Sequence, residues 1–384
     1  MQPYILIIGQ LPPPVHGSNI MTERFLEALV VNGFNYKIVE KSFSQSISEV
    51  GKASLKKVFK IPALCRQVDA AIKKQRPYLS VYFLSVGISS LLVDCLLLKL
   101  LRKNKIPYIL YLHGKGYRRY ETSRYLLVRD IVRIALKGAF GGFVLGDRLK
   151  QDINHCISDE NLYVLPNGIP HSEFSPADDS NKCNEIIKIS FLSNLIPTKG
   201  PLRFLEMAKR VREQSSFVHF TLAGGHRSEA YLNELKQFIH KEKLEDCVSI
   251  PGPVYGQEKN QLLEDTDIFV YPTEKDVFPL VIIEAMQHGI PIISSPIGAI
   301  QDAVCDGLNG FIVKPNDIET LAERVLHLVR DTELRKSMGK AGKELYEQHY
   351  SLNAYYWNTR KALEYFLLRL DLPASNTIGE GVVK

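Results

Sequence analysis

Asp267-Ile-Phe-Val-Tyr-Pro-Thr-Glu-Lys-Asp-Val-Phe-Pro-Leu-Val-Ile-Ile-Glu-Ala-Met-Gln-His-Gly289 contains a complete strand–loop–helix unit. The apolar run Ile268–Tyr271 has strand length. Pro272 to Asp276 breaks it, Pro279 opens a helix and Gly289 closes it. A continuous apolar strand feeding a helix is the building unit of a parallel sheet covered on both faces. Glu284 stands among Leu280, Val281, Ile282, Ile283, Ala285 and Met286. A carboxylate in such a segment is costly to bury without a partner, and it is suited to accepting two sugar hydroxyls, so a ribose is a candidate ligand.

The same alternation extends in both directions. Tyr4–Ile8, Leu79–Leu84, Tyr108–Leu112, Gly142–Leu145 and Tyr163–Leu165 form one series of candidate strands. Ile187–Leu192, His219–Leu222, Val248–Ile250, Ile268–Tyr271, Ile290–Ser294 and Gly310–Val313 form a second. The polar stretch from Ser175 to Asn184 reads as a linker between them. A chain of 384 residues also exceeds what one core usually supports. Two α/β domains are expected. Their ligands should bind beyond the carboxyl ends of the strands, in an interdomain cleft.

The charged fraction of 23% and apolar fraction of 45% are those of a globular enzyme. The chain begins almost directly with a strand, so no leader peptide is read. Cys65, Cys95, Cys156, Cys183, Cys247 and Cys305 are scattered without a CxxC pair, which fits a reducing cytoplasm and argues against a disulfide framework or zinc site. The apolar region from Val81 to Leu101 contains Asp94 and Lys99 and is interrupted at Gly87, so a buried strand and helix are expected there in place of a membrane span. Charge is uneven. Met1 to Glu185 carries 25 Lys and Arg against 16 Asp and Glu, of 48 and 42 in the whole chain. A basic N-terminal half suggests an anionic partner.

Three loops are candidates for holding a diphosphate. The first strand runs through Gly9 to Gly17-Ser-Asn19, with a helix expected near Ile20; Gly17 lets the backbone approach a ligand. The second is Ser193-Asn-Leu-Ile-Pro-Thr-Lys-Gly-Pro201, which puts Lys199 just before a helix that Pro201 starts. Free N–H groups, the helix dipole and an ammonium then meet in one place, which favours a phosphate. The third is the Asp276 to Glu284 block.

Together these segments resemble the large retaining family of GT-B glycosyltransferases usually called family 4, within glycosyl transferases group 1. The similarity runs from Phe191 to Gly200, through Leu222-Ala-Gly-Gly225, Val248-Ser-Ile-Pro-Gly252, Asp267 to Pro272 and Asp276 to Glu284, and on to Gly307-Leu-Asn-Gly-Phe-Ile-Val313. It is thinner at His113-Gly114 and Leu165-Pro-Asn-Gly-Ile169. The resemblance implies two Rossmann-like domains with parallel sheets facing a cleft. Residues 1–180 with a returning helix in 349–384 would take the acceptor, and residues 181–348 the donor.

The resemblance also implies roles. Glu284 matches the second glutamate of the family's E-x7-E motif and looks like the ribose ligand. Asp276 stands at the first glutamate, which contacts the donor sugar. Lys199 matches the lysine that neutralises the leaving diphosphate, and Asn194 stands where an arginine often assists. Gly17 matches the glycine that lets acceptor and phosphates approach, and His113 a histidine on the donor sugar. Backbone near Phe278, Pro279 and Leu280 would surround the sugar and phosphates, although Pro279 has no N–H. Asp276 is one methylene short of the family's glutamate, Val277 replaces a glycine, and Glu274 lies two residues upstream. The implied activity is hexosyl transfer from a nucleoside-diphosphate sugar to a glycan or lipid-linked acceptor in polysaccharide biosynthesis, with retention and without a metal or other cofactor.

Asp265-Thr-Asp267 looks like the DxD of metal-dependent transferases, but its place at the entrance to a strand argues against metal. His16, His155, His171 and His226 read as surface residues. Basic residues cluster at Lys115, Arg118, Arg119, Arg124, Arg129, Arg133 and Lys137, and again over Lys52–Lys74 with interleaved apolar residues. Either segment is an ordinary packed helix or an interfacial one that docks on an anionic inner leaflet. No aromatic–basic module for nucleic acid is present. Two alternatives are a nucleotide-sugar epimerase on the same fold and a catalytically degenerate scaffold.

Overall fold

The computed structural model describes residues 2–13, 17–41, 55–120, 125–171 and 186–372, with the backbone alone for 55–60. The linker read at Ser175–Asn184, and with it Cys183, His16, Arg124, Lys52 and the tail Pro373–Lys384 lie outside the described residues. The chain divides into two compact units, Met1–Asn167 with Asn353–Lys384, and Gly168–Leu352.

The first unit contains β1 (Ile5–Gly9), α1 (Gly17–Val31), β2 (Tyr36–Glu40), α2 (Leu55–Lys74), β3 (Leu79–Phe83), α3 (Ile88–Lys103), β4 (Tyr108–Leu112), α4 (Leu126–Lys137), β5 (Gly141–Val144) and β6 (Leu162–Val164). Its strands pair in parallel in the order β2-β1-β3-β4-β5-β6. β1, β3 and β4 are buried along their whole length, as strands covered on both faces must be.

The second unit contains β7 (Ile187–Leu192), α5 (Pro201–Arg212), β8 (Val218–Ala223), α6 (Glu229–Lys241), β9 (Val248–Gly252), α7 (Gly256–Glu264), β10 (Ile268–Tyr271), α8 (Leu280–Gln287), β11 (Ile292–Ser294), α9 (Ile300–Ala303), β12 (Gly310–Ile312), α10 (Ile318–Arg330) and α11 (Thr332–Leu345). Its parallel order is β12-β11-β10-β7-β8-β9. From β7 the chain builds outward through β8 and β9, then returns to the other side of β7 through β10. The order therefore reverses between β7 and β10, and such a switch point opens a crevice at the carboxyl ends of the strands.

The last helix, α12 (Leu352–Arg369), belongs to the first unit from Asn353 onward. Phe366 is fully buried and its ring meets Phe143 edge-on at 5.6 Å. A Cβ on Gly141 would stand 2.2 Å from Phe366 Cε1, so only glycine leaves room for that ring. The Tyr111 and Tyr355 hydroxyls lie 3.2 Å apart, and Tyr356 donates to Glu27 at 2.9 Å.

Asp94 explains itself in this frame. Its carboxylate is buried with Lys41, whose Nζ lies 3.0 Å away. It also accepts from the Tyr82 hydroxyl and the Ser85 amide, each at 2.7 Å. The charge in the apolar run from Val81 to Leu101 is thus a satisfied ion pair that ties α3 to the end of β3. Among the described residues no helix is long and apolar enough to cross a membrane.

Two sequence expectations shift. β2 was not expected, because Tyr36-Lys-Ile-Val-Glu40 is an edge strand in which Val39 alone is buried and carries no continuous apolar run. α1 begins at Gly17 and not near Ile20, which puts Asn19 inside the helix, buried, with its side-chain amide 3.4 Å from the Leu11 carbonyl. The two compact units divide at 167/168 and 352/353. Ile169 packs with the second unit, its amide donating to Tyr350 O at 3.0 Å and its carbonyl accepting from the Tyr346 hydroxyl.

Phe366→Ala empties a filled pocket in the first unit. Urea denaturation should show a loss of about 3–5 kcal/mol.

Candidate active site

The second unit gathers its chemistry at the reversal between β7 and β10. After β7 the chain makes a short turn at Pro197–Lys199 and enters α5, with Pro201 at its first position and Gly200 at φ +86°. After β10 it passes through Pro272 to Asp276 and enters α8, capped by Pro279. The two loops are stitched together. The Glu274 amide donates to Thr198 O at 2.9 Å and the Thr273 hydroxyl to the same oxygen at 3.1 Å. A Cβ on Gly200 would lie 2.2 Å from Pro272 O, so a side chain there would force the loops apart. Gly298, at φ +61°, closes the Asp276 loop from the other side, where Ala299 N donates to Val277 O at 2.7 Å.

Within this frame Lys199 and Asp276 meet. The ammonium lies 2.5 Å from Asp276 Oδ2, and the Tyr271 hydroxyl donates to the same oxygen at 2.6 Å. The other carboxylate oxygen accepts from the Val277 amide at 2.9 Å. Tyr271 is almost fully buried, and burial, with the Asp276 carboxylate beside it, pushes its pKa well up. Its proton therefore stays on as a donor. Lys199 and Asp276 are both only partly buried, with side-chain exposures of 20% and 14%, so their pair is accessible to an incoming ligand.

Glu284 is half-buried on α8 and not alone. Lys259 of α7 places its Nζ 2.7 Å from Glu284 Oε1. That partner resolves the cost of a carboxylate in an apolar helix. Asn194 is exposed in the turn after β7, beside Gly225. Phe278 is buried, with its ring edge-on to Tyr350 at 5.6 Å, so its side chain packs into the unit. Pro279 is the N-cap of α8 and Leu280 its first helical residue, so the helix starts one residue later than expected. The amides of the first turn of a helix have no partner within it. Glu274 is engaged with Arg203, which also bonds Asn316 at 3.0 Å.

Asp267 accepts from the Lys188 amide at 2.8 Å and Asp265 pairs with Lys188 Nζ at 3.1 Å. Both lie at the amino ends of β7 and β10, opposite the loops that hold Lys199 and Asp276. Among the described residues no group of three or more metal-ligating side chains is gathered.

In the first unit, Gly17 is the exposed first residue of α1, and β1 with β3 forms that sheet's own switch point. His113 follows β4. Its ring stacks on Phe83 with an interplanar angle of 6° and lies 4.2 Å from the Tyr111 ring, centroid to centroid. Nε2 is buried without a hydrogen-bond partner.

Residues 177–345 match the family described as glycosyl transferases group 1. That matched stretch lies inside the second unit. The capsular polysaccharide biosynthesis glycosyltransferase CapM of Staphylococcus aureus is 23% identical over 59% of this chain and 62% of its own. An Escherichia coli UDP-Gal:α-D-GlcNAc-diphosphoundecaprenol α-1,3-galactosyltransferase is 27% identical over 44% of this chain and 46% of its own. Across eight curated relatives the chain spans between 25% and 70% of their length. The Anabaena protein HepE, solved with UDP, superposes with a TM-score of 0.72 at 17% identity, over 94% of this chain and 99% of that one. The fold is thus that of the GT-B glycosyltransferases, and the expected enzyme class agrees with the group 1 match and these transferase relatives.

Reasoning from the sequence missed two partners in this candidate site, Tyr271 and Lys259. Tyr271 carried a signal, a hydroxyl-bearing aromatic at the carboxyl end of a buried strand. Lys259 carried none, because nothing in helical spacing links α7 to α8.

Burial pushes the pKa of His113 down to about 3, so the folded chain holds a neutral imidazole. As pH falls below about 6.5 the unfolded chain takes up a proton that the folded one refuses. This destabilises the fold progressively as pH falls from about 6.5 toward 3. His113→Gln should flatten that part of the stability–pH curve, measured by urea denaturation against wild type.

Proposed function

We propose that this chain is a retaining, metal-independent glycosyltransferase. It moves a sugar from a nucleoside-diphosphate sugar to a hydroxyl of a glycan or lipid-linked acceptor in cell-surface polysaccharide biosynthesis, at the cytoplasmic face of an anionic membrane. The observation that carries the reading is Lys199, a partly exposed ammonium at the start of α5, held at the β7–β10 switch point on the Asp276 carboxylate. A diphosphate offers that ammonium a stronger anion, backed by the amides and dipole of the helix. Asp276, displaced from Lys199, would then face the donor sugar. The UDP bound by HepE and the polysaccharide and diphosphoundecaprenol chemistry in the names of the two relatives support the donor and acceptor classes.

In this mechanism the bond from the anomeric carbon to the diphosphate oxygen breaks through an oxocarbenium-like state. Negative charge grows on the leaving group, and Lys199 stabilises it without a metal. The acceptor hydroxyl attacks from the departing face and gives its proton to a phosphate oxygen. Glu284 accepts the ribose hydroxyls, with Lys259 fixing its carboxylate. Asn194 and backbone at Phe278, Pro279 and Leu280 line the donor. Gly17 and His113 take the acceptor-side and sugar-side roles that the resemblance gives them, His113 as a neutral imidazole.

A thermal-shift and turnover screen of UDP-, GDP-, ADP- and CMP-sugars tests the reading. Stabilisation by one nucleotide family, unchanged by EDTA, is expected. Lys199→Ala should lower kcat by about 10²–10³. Glu284→Ala should raise the donor KM about tenfold or more, through a lost charged hydrogen bond. Wild-type turnover in both variants would refute the assignment, and loss of turnover with EDTA would refute metal independence.

A further inference from the structure

Sequence alone offered two basic, apolar-interleaved segments as interfacial candidates, and the structure separates them. In α2 the described apolar residues turn inward, with Leu64, Val68 and Ile72 all buried. Over residues 61–74 that is an ordinary packed helix. α4 does the opposite. Val132, Ala135 and Leu136 suffice to seat it on the unit, while Leu127 is 76% exposed, Leu126 and Ile134 60%, and Ile131 41%. Tyr125, just before the helix, is 62% exposed. Of the fifteen large apolar side chains exposed among the described residues, these five fall within ten positions. Scattered exposed apolar residues need no explanation, but a concentration of them does.

At 3.6 residues per turn, Leu127, Ile131 and Ile134 form one outward stripe. Exposed Arg133 and Lys137 border it, and Asp130 is the one acidic residue of α4. α3 packs beside α4 and adds exposed Lys99, Arg102 and Lys103, with the Arg102 guanidinium 2.9 Å from Ile134 O. An apolar stripe rimmed by cations matches an anionic bilayer, with side chains entering the acyl boundary and cations resting among the headgroups. A second copy of the chain would bring these cations against their own kind.

We propose that the outward face of α4 is the membrane-docking surface of this protein, specific for anionic lipid. This deepens the transferase reading, on which it rests for a lipid-linked acceptor. Vesicle binding is measured without donor or acceptor, so either idea can fail alone.

The test is flotation of the full chain with vesicles of phosphatidylglycerol and phosphatidylcholine in equal parts, and with phosphatidylcholine alone. Wild type should float with the anionic vesicles only, and less so as salt rises. The double substitution Leu127→Glu with Ile134→Glu should weaken flotation at least about tenfold. Its Tm and its hydrolysis of soluble donor should equal those of wild type, because both residues are exposed. Arg133→Glu with Lys137→Glu should abolish the preference for anionic lipid. The proposal is overturned if wild type ignores anionic vesicles or binds both kinds equally, or if the Leu127/Ile134 variant floats like wild type. A variant that instead loses a dimer, or that falls in Tm without lipid, shows that a second copy or a segment of this chain covers the face, and equally overturns it.

Discussion

The contact between the Lys199 ammonium and the Asp276 carboxylate organises the second unit's functional end. It spans the point where strand order reverses, and it joins loops that are 77 residues apart in sequence. The pair is possible because the loops approach at backbone distance, which the missing side chain at Gly200 permits. It is directional because the buried Tyr271 hydroxyl fixes one carboxylate oxygen and the Val277 amide the other. The proposed donor site is thus preset by electrostatics. Each charge is already solvated by the other, and a ligand must outcompete that arrangement to enter.

The general architecture was legible because buried parallel strands announce themselves as apolar runs, and eleven of the twelve described strands did so. The exception, β2, lies at a sheet edge, where half-exposure allows Tyr36, Lys37 and Glu40 and erases the pattern. The start of α1 was misplaced for a related reason: Gly17, Ser18 and Asn19 favour turns on propensity, yet here they are helical. At the site, Lys199, Asp276 and Glu284 were visible because each sits at a fixed offset from a strand end. Lys259 was not, since its meaning arises only when α7 and α8 are brought side by side.

The first unit shows how the same polar residue types serve unlike ends. Asp94 and Lys41 are buried and satisfied, so their charges brace β3 and α3. His113 is walled in by aromatic rings, and its chemistry is that of a neutral ring. The cations of α4 remain outside with an apolar stripe that the core did not need. Composition cannot distinguish these fates. Burial and partners do.

The return of α12 to the first unit has a consequence for synthesis. The second unit is one continuous stretch of chain, Gly168–Leu352, whereas the first is closed only by residues from Asn353 onward. As the chain leaves the ribosome, the unit begun second can finish first. Throughout that interval the surface around Gly141 and Phe143 lacks the helix that seals it. An apolar seam held open for the length of an entire domain is a place where nascent chains associate wrongly. The order of birth therefore runs against the order of completion, and this protein's yield in a cell should depend on how well that seam is shielded until Phe366 arrives.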